Sequence, residues 1–436
     1  MTGLARAGKT AFLTSVAANL LALGAGRPVL PEVRQRLGAR AFTARLAPAG
    51  TADLPRFDHA RHLAALAADP PGWPERTSSA SLLAFDLAVG REAFGLPLPS
   101  QSVRLELLDY PGEWLLDLPL LRTPFEAWSE AALRRMDAAG ASGSARAFLQ
   151  FSGGLPSGAP ADDALAATGH RLYRDALHQL RDDAGLAMLQ PGRFLMPAPG
   201  VAPPWMTFFP HRGGGGLHRL LADRYGAYVD AVERDLAAPM FGNLDRVVVL
   251  VDLLSALHAG PEAFFDAGDA LAAAAGALRW QRSWLDVAWA LGRGRMPPRT
   301  VSRVAFAATK SDHVAERQRG NLQALLRGTA LAGGPAGDVD TQYFAIAAVR
   351  CTTDVVHTLE GRPVSAVRGR RIGDERAVLS YPGEVPDRLR RDDPFWSHPF
   401  LNLPQFEPQR PPEGGRGGVP ELGLGALLAF LLEDVL

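Results

Sequence analysis

Gly3-Leu4-Ala5-Arg6-Ala7-Gly8-Lys9-Thr10 is the run with the clearest chemistry in this 436-residue chain. It fits G-x-x-x-x-G-K-[ST], in which successive backbone N–H groups curl around a polyphosphate. Gly3 and Gly8 supply backbone freedom and close approach. The Lys9 ammonium would reach the β- and γ-phosphates, and the Thr10 hydroxyl would ligate Mg²⁺. Ala5, Arg6, Ala7 and Ala11 complete the backbone expected around the anion. Ala11–Leu23 reads as a helix whose positive end faces the phosphates.

Two further runs make sense beside the first. Asp109-Tyr110-Pro111-Gly112 ends an apolar segment and fits D-x-x-G, where the aspartate holds Mg²⁺, usually through water, and the glycine N–H senses the γ-phosphate. Alone, a strand-end turn explains it as well. Thr309-Lys310-Ser311-Asp312 follows a β-type run and fits [N/T]-K-x-D. The Asp312 carboxylate can accept from guanine N1–H and the 2-amino group, which adenine does not offer together. The Lys310 stem can cover the base. A solvated helix cap at Ser311 or Asp312 is the plainer reading of the same residues. Cys351 and Thr352 fall where backbone contacts to guanine O6 would come.

The elements that must position these runs are legible in outline. Arg246–Asp252 and Val301–Ala308 are nearly continuous β-branched or apolar runs, as in strands buried on both faces. With Tyr343–Val349 and the intervening helical stretches Pro261–Trp289 and His313–Leu331 they imply βαβ units and a parallel sheet. Ser81–Val89 and Val103–Leu108 read as an antiparallel pair. Ala60–Ala68 and Pro31–Leu37 read as short helices. From Leu115 to about Met240 the periodicity is helical at Glu126–Met136, Asp162–Ala184 and Leu217–Leu236. A short hairpin around Val364–Val367 and Ala377–Leu379 and a closing helix over Leu424–Leu436 complete the reading. The expected organisation is 1–114 and 241–357 as two parts of one core, 115–240 as a helical insertion and 358–436 as a C-terminal extension. Only Met1 and Thr2 precede Gly3, so the strand that should aim the loop is expected to be truncated.

Composition narrows the classes. Lys plus Arg and Asp plus Glu each total 46, and this balance gives no support for binding nucleic acid or acidic membrane. Cys351 is the single cysteine, which excludes an intramolecular disulfide and a Cys-rich metal site and fits a reducing cytoplasm. No apolar run reaches the roughly 18 residues of a membrane span, so no membrane insertion is expected. Arg6 and Lys9 before apolar Ala11–Leu23, with small residues at 24–26, also match a secretory signal peptide. Three motifs in this order overrule that, because cleavage would remove the loop. Trp114, Trp205 and Phe395–Trp396 read as packing residues, and His59 and His62 as helix surface.

The run G-L-A-R-A-G-K-T-A-F-L-T-S, with L-L-D-Y-P-G-E-W-L-L-D-L-P-L-L, resembles the YcjX-like family of P-loop GTPases. Trp73–Thr77, Thr309–Asp312 and Ser380–Pro386 extend the resemblance to nearly the whole chain. It implies an α/β fold, a Ras-like P-loop NTPase doubly wound sheet with helical insertions, and GTP or GDP as ligand with Mg²⁺. It also implies a link to stress responses and a protein partner, in some operons a membrane protein. Against this background Thr77 is the candidate switch threonine for Mg²⁺, with Ser78 and Ser79 as rivals and a turn hydroxyl as the plain alternative. Glu113 stands where a water-positioning residue belongs and is otherwise a solvated switch residue. Arg6 can stabilise charge at the β–γ bridge, or point to solvent or pair with a carboxylate. Asp252 reads as a strand-end cap. The function expected is a slow GTPase switch; a nucleotide-binding scaffold without hydrolysis and an ATPase are the alternatives.

Overall fold

The computed structural model describes residues 2–436 apart from 5, 50–53, 76–79, 94–95, 110, 141–142, 197–202, 238–243, 279–300, 333–338, 360, 375 and 399. In chain order the first elements are β1 (Thr2–Gly3), α1 (Lys9–Gly24), α2 (Pro31–Leu37), β2 (Phe42–Leu46), α3 (His59–Ala67), β3 (Ser81–Ala93) and β4 (Leu96–Asp109). A helical stretch follows: α4 (Gly112–Leu115), α5 (Phe125–Ala138), α6 (Gly143–Gly153), α7 (Asp163–Asp182), α8 (Gly192–Leu195) and α9 (Gly215–Val232). Then come β5 (Arg246–Val251), α10 (Leu253–Ala259), α11 (Pro261–Leu278), β6 (Arg303–Ala308), α12 (Glu316–Leu331) and β7 (Asp340–Ala345). β8 (Thr352–Leu359), β9 (Arg362–Arg370), β10 (Ala377–Ser380) and α13 (Leu424–Leu431) close the chain.

Among the described residues the central sheet runs β1-β5-β6-β7, all parallel. Its strands are buried on both faces, which is why β5 and β6 read as unbroken apolar runs rather than alternating ones. Val248, Leu250, Ala305 and Ala307 face one core with α1 and α13. Val247, Val249, Val251, Val304 and Phe306 face the other, which is continuous with the core of the helical stretch. That second core is aromatic: Trp128, Tyr173, Phe194, Phe208 and Tyr228 are buried together, with Trp128 and Tyr225 stacked at 5.1 Å between ring centroids. Two smaller antiparallel sheets, β2-β3-β4 and β10-β9-β8, flank this body.

The expected hairpin of β3 and β4 is present, with Leu83 opposite Leu107 and Ser81 opposite Asp109. So is the one of β9 and β10, where Ala377 lies opposite Arg370. Two strands escaped the sequence reading. β2 is only five residues and alternates weakly (Phe-Thr-Ala-Arg-Leu), and it exists because β3 offers it an edge. β8 (T-T-D-V-V-H-T-L) is polar on both sides of its Val pair and forms against β9. The helix expected over Pro261–Trp289 is described as far as Leu278; the rest of that stretch lies outside the described residues.

β1 is two residues long and pairs with β5, Thr2 opposite Val249 and Gly3 opposite Leu250. Leu4 N–H continues the ladder onto Leu250 C=O at 2.9 Å. Gly3 is required here, since a Cβ would lie 2.7 Å from Leu250 Cβ and 2.8 Å from Leu250 O. The short strand is thus anchored well enough to set the direction of the loop after it.

Candidate functional site

The loop after β1 turns on Arg6 (φ 63°) and Gly8 (φ 79°), both in the left-handed region. Gly8 is the N-cap of α1, and no side chain caps this 16-residue helix. Its first-turn N–H groups and positive dipole end therefore point into the loop, the geometry that receives anions. Lys9 folds across the loop and donates from Nζ to Gly3 O at 3.0 Å. Thr10 opens the first turn, and Thr14 Oγ1 donates back to Thr10 O at 2.8 Å. Ala7 is buried on the α1 core while Arg6 points outward. Ala5 lies outside the described residues.

The end of β4 meets this loop. Asp109 is 2% exposed, and at Gly112 a Cβ would overlap the carbonyl oxygen of Gly3. Gly112 therefore belongs to the sequence pattern for a steric reason: any side chain would push α4 off the loop. Asp109 and Thr10 bring a carboxylate and a hydroxyl, the hard oxygen donors that Mg²⁺ takes, to the two segments that converge here. Thr77 and Tyr110 lie outside the described residues.

Two expected residues are turned toward the helical stretch instead. Glu113 is 9% exposed and faces a small cavity lined by Leu4, Leu116, Arg181, Leu186 and Leu195. The Arg6 guanidinium pairs with Asp182 of α7 at 2.9 Å, the carboxylate pairing that was one of its open alternatives. Asp182 is also held by Arg181, whose hydrogen bonds keep its carboxyl below the usual range.

The residues expected on the base side cluster at the same edge of the sheet. Thr309 N–H donates to Val251 O at 2.9 Å, so the loop after β6 lies beside the end of β5. Asp252 caps α10, accepting from Ser255 N at 3.0 Å and Ser255 Oγ at 2.6 Å. Lys310, itself at φ 59°, pairs its Nζ with Asp252 Oδ2. Asp312 is 1% exposed. Its Oδ2 accepts from Cys351 N at 2.7 Å, Cys351 Sγ at 3.1 Å and Thr352 N at 3.3 Å. Thr352 Oγ1 donates to the Asp312 carbonyl. The two segments assigned to base contact are thus joined to each other: the carboxylate that would accept from guanine accepts from the amides that would donate to it. Burial and the Asp312 charge push the Cys351 thiol well above its ordinary range, and burial pulls His313 below its own.

Sequence reasoning missed Asp117, five residues after Gly112. It is fully buried and accepts from Gly192 N at 2.7 Å, Arg193 N at 3.3 Å and Tyr228 OH at 2.5 Å. Burial pushes its carboxyl up to about 6, against the pull of those donors. Around it, Trp114 Nε1 donates to Met196 O at 2.8 Å, Gln190 Nε2 donates to Leu116 O, and a Cβ on Gly192 would overlap the Glu113 carbonyl. The segment 112–117 is therefore clamped to 189–196 and α9. A lone Asp in L-L-D-L-P carries no local signal of burial.

The chain matches the YcjX-like family (DUF463) over residues 1–436. A protein named Ras-like GTPase YcjX from Escherichia coli (strain K12) is 32% identical over 466 aligned residues, covering 100% of this chain and 95% of its own. One of the same name from Shewanella oneidensis is 31% identical over 436, covering 94% and 87%. This chain belongs to the YcjX-like family.

Proposed function

We propose that this chain is a P-loop GTPase of Ras-like, doubly wound fold, which binds guanine nucleotide with Mg²⁺ and hydrolyses GTP to GDP slowly. One observation carries the reading. The three motif segments, 3–10, 109–112 and 309–312, far apart in sequence, meet at the C-terminal edge of β1, β5 and β6, where ligands of open α/β sheets bind. The names of the relatives point the same way.

In this reading the α1 N-terminus and the loop amides receive the β-phosphate, and Lys9 exchanges Gly3 O for phosphate oxygens. Thr10, Asp109 and the switch threonine Thr77 would hold Mg²⁺, which when bound neutralises charge on the β- and γ-phosphates. Gly112 N–H faces the γ-phosphate side, Asp312 reads guanine, and the Cys351 and Thr352 amides donate to its O6. Lys310 leaves Asp252 to lie along the base. Two residues must move for hydrolysis: Glu113 out of its buried seam toward the attacking water, and Arg6 away from Asp182 toward the β–γ bridge. Those same placements favour the second reading, a nucleotide-binding scaffold that does not hydrolyse unaided. Among the described residues no helix is long and apolar enough to cross a membrane.

The test is equilibrium binding of fluorescent GDP with Mg²⁺, competed by GTP, ATP and GMP, followed by single-turnover hydrolysis. Competition by GTP but neither ATP nor GMP is expected. Equal competition by ATP would remove guanine reading, and no binding at all would remove the nucleotide.

A further inference from the structure

Asp312, His313 and Cys351 bring a carboxylate, an imidazole and a thiol together in one buried cluster, with one ligand atom from each within 4.8 Å of the others. All three are under 9% exposed. Cys351 Sγ lies 3.1 Å from Asp312 Oδ2 and 3.3 Å from His313 Nε2. In a tetrahedral zinc site, with Zn–S about 2.3 Å and Zn–N about 2.0 Å, the sulfur and nitrogen stand about 3.5 Å apart. The observed separations need to open by only a few tenths of an ångström. The imidazole is aimed by this contact: His313 Nδ1 is buried and makes no hydrogen bond among the described residues, while Nε2 points at the sulfur. Charge also matches. Thiolate plus carboxylate neutralise a dication in a buried cluster that would penalise any net charge.

We propose that Asp312, His313 and Cys351 form a site for a borderline-soft divalent cation of the zinc class, distinct from the oxygen donors Thr10 and Asp109 at the phosphate end. A thiolate–imidazole–carboxylate set suits Zn²⁺ and Co²⁺ and discriminates against Mg²⁺. Binding displaces the thiol proton to solvent, and the fourth position is left to a solvent ligand. One consequence rests on the guanine reading above: Asp312 cannot bind the cation and a guanine base together, so the two compete.

The test is a Co²⁺ titration of the nucleotide-free full chain in excess Mg²⁺, read by absorption. A thiolate-to-cobalt charge-transfer band is expected to saturate at one equivalent and to be bleached by Zn²⁺. Cys351→Ser abolishes the band and His313→Ala weakens Co²⁺ binding at least tenfold, with thermal melts showing both variants folded. A folded wild type without the band, or a band that survives Cys351→Ser, overturns the site and leaves a hydrogen-bonded chain from His313 Nε2–H to sulfur and from sulfur to Asp312. A GDP arm separates the two claims. The band with no GDP binding keeps the metal site and removes the guanine reading, whereas GDP binding without the band does the reverse.

Discussion

At the phosphate end, Lys9 holds a single carbonyl, Arg6 and Asp182 are both half-exposed, and the helix end is uncapped. At the base end, Asp312 is sealed among Cys351, Thr352 and His313, and Lys310 is tied to Asp252. In the function proposed above, one half needs a side chain to swing, and the other exchanges internal hydrogen bonds for those of a base. A base that returns the same number of bonds pays little net energy for the exchange, but one that leaves the carboxylate or amides unmatched costs about 1–3 kcal/mol per buried group. In the proposed function, closure of the base end would sharpen selectivity, while openness of the phosphate end would favour capture.

Experiments that break this contrast differ in scale. The largest effect is expected away from both ends, at the clamp that joins the phosphate end to the helical stretch. Asp117→Ala strands Gly192 N–H, Arg193 N–H and Tyr228 OH and is expected to cost about 4 kcal/mol in urea unfolding. Asp117 also has a pH signature. Its folded value of about 6 lies above the ordinary 3.8, so the folded state holds the extra proton between them. Stability from this group is full below about 4, falls as pH rises, and is lost above about 6. Asp117→Asn should flatten that segment of the stability–pH curve; an unchanged slope would show that Asp117 does not carry it.

Gly112→Ala attacks the phosphate end directly. The methyl overlaps Gly3 O, and a loss of about 3 kcal/mol together with nucleotide binding is expected; a wild-type melting temperature would contradict the contact. Asp312→Asn loosens the base end, with GDP affinity falling about a hundredfold and xanthosine diphosphate gaining. Indifference to that swap would leave the carboxylate a purely internal acceptor. The smallest change is Arg6→Ala. Its exposed pair with Asp182 is worth about 0.5 kcal/mol or less, so stability should hold, and any drop in single-turnover hydrolysis would place Arg6 in the chemistry.

The legible part of this protein was local. G-x-x-x-x-G-K-T, D-x-x-G and T-K-x-D are contiguous runs whose residue types follow from what a loop must do, and β5 and β6 announce themselves because strands buried twice have no polar alternation. β2 and β8 were hidden, since each forms only against an edge supplied by another segment. The sequence by itself determined the family and the parallel sheet, and it named the loops to which we assign the chemistry. Tertiary structure decided the rest. Asp117 was an ordinary acid until three donors 75 to 111 residues away in sequence closed on it. Glu113 was a candidate for the attacking water and Arg6 for the β–γ bridge, and only the fold shows that the helical stretch engages both. Cys351 was a lone thiol until folding set it beside Asp312 and His313, 39 and 38 residues earlier. A motif constrains neighbours along the chain, whereas burial, charge pairing and ligand sets depend on separations that only the packed fold brings to a few ångströms.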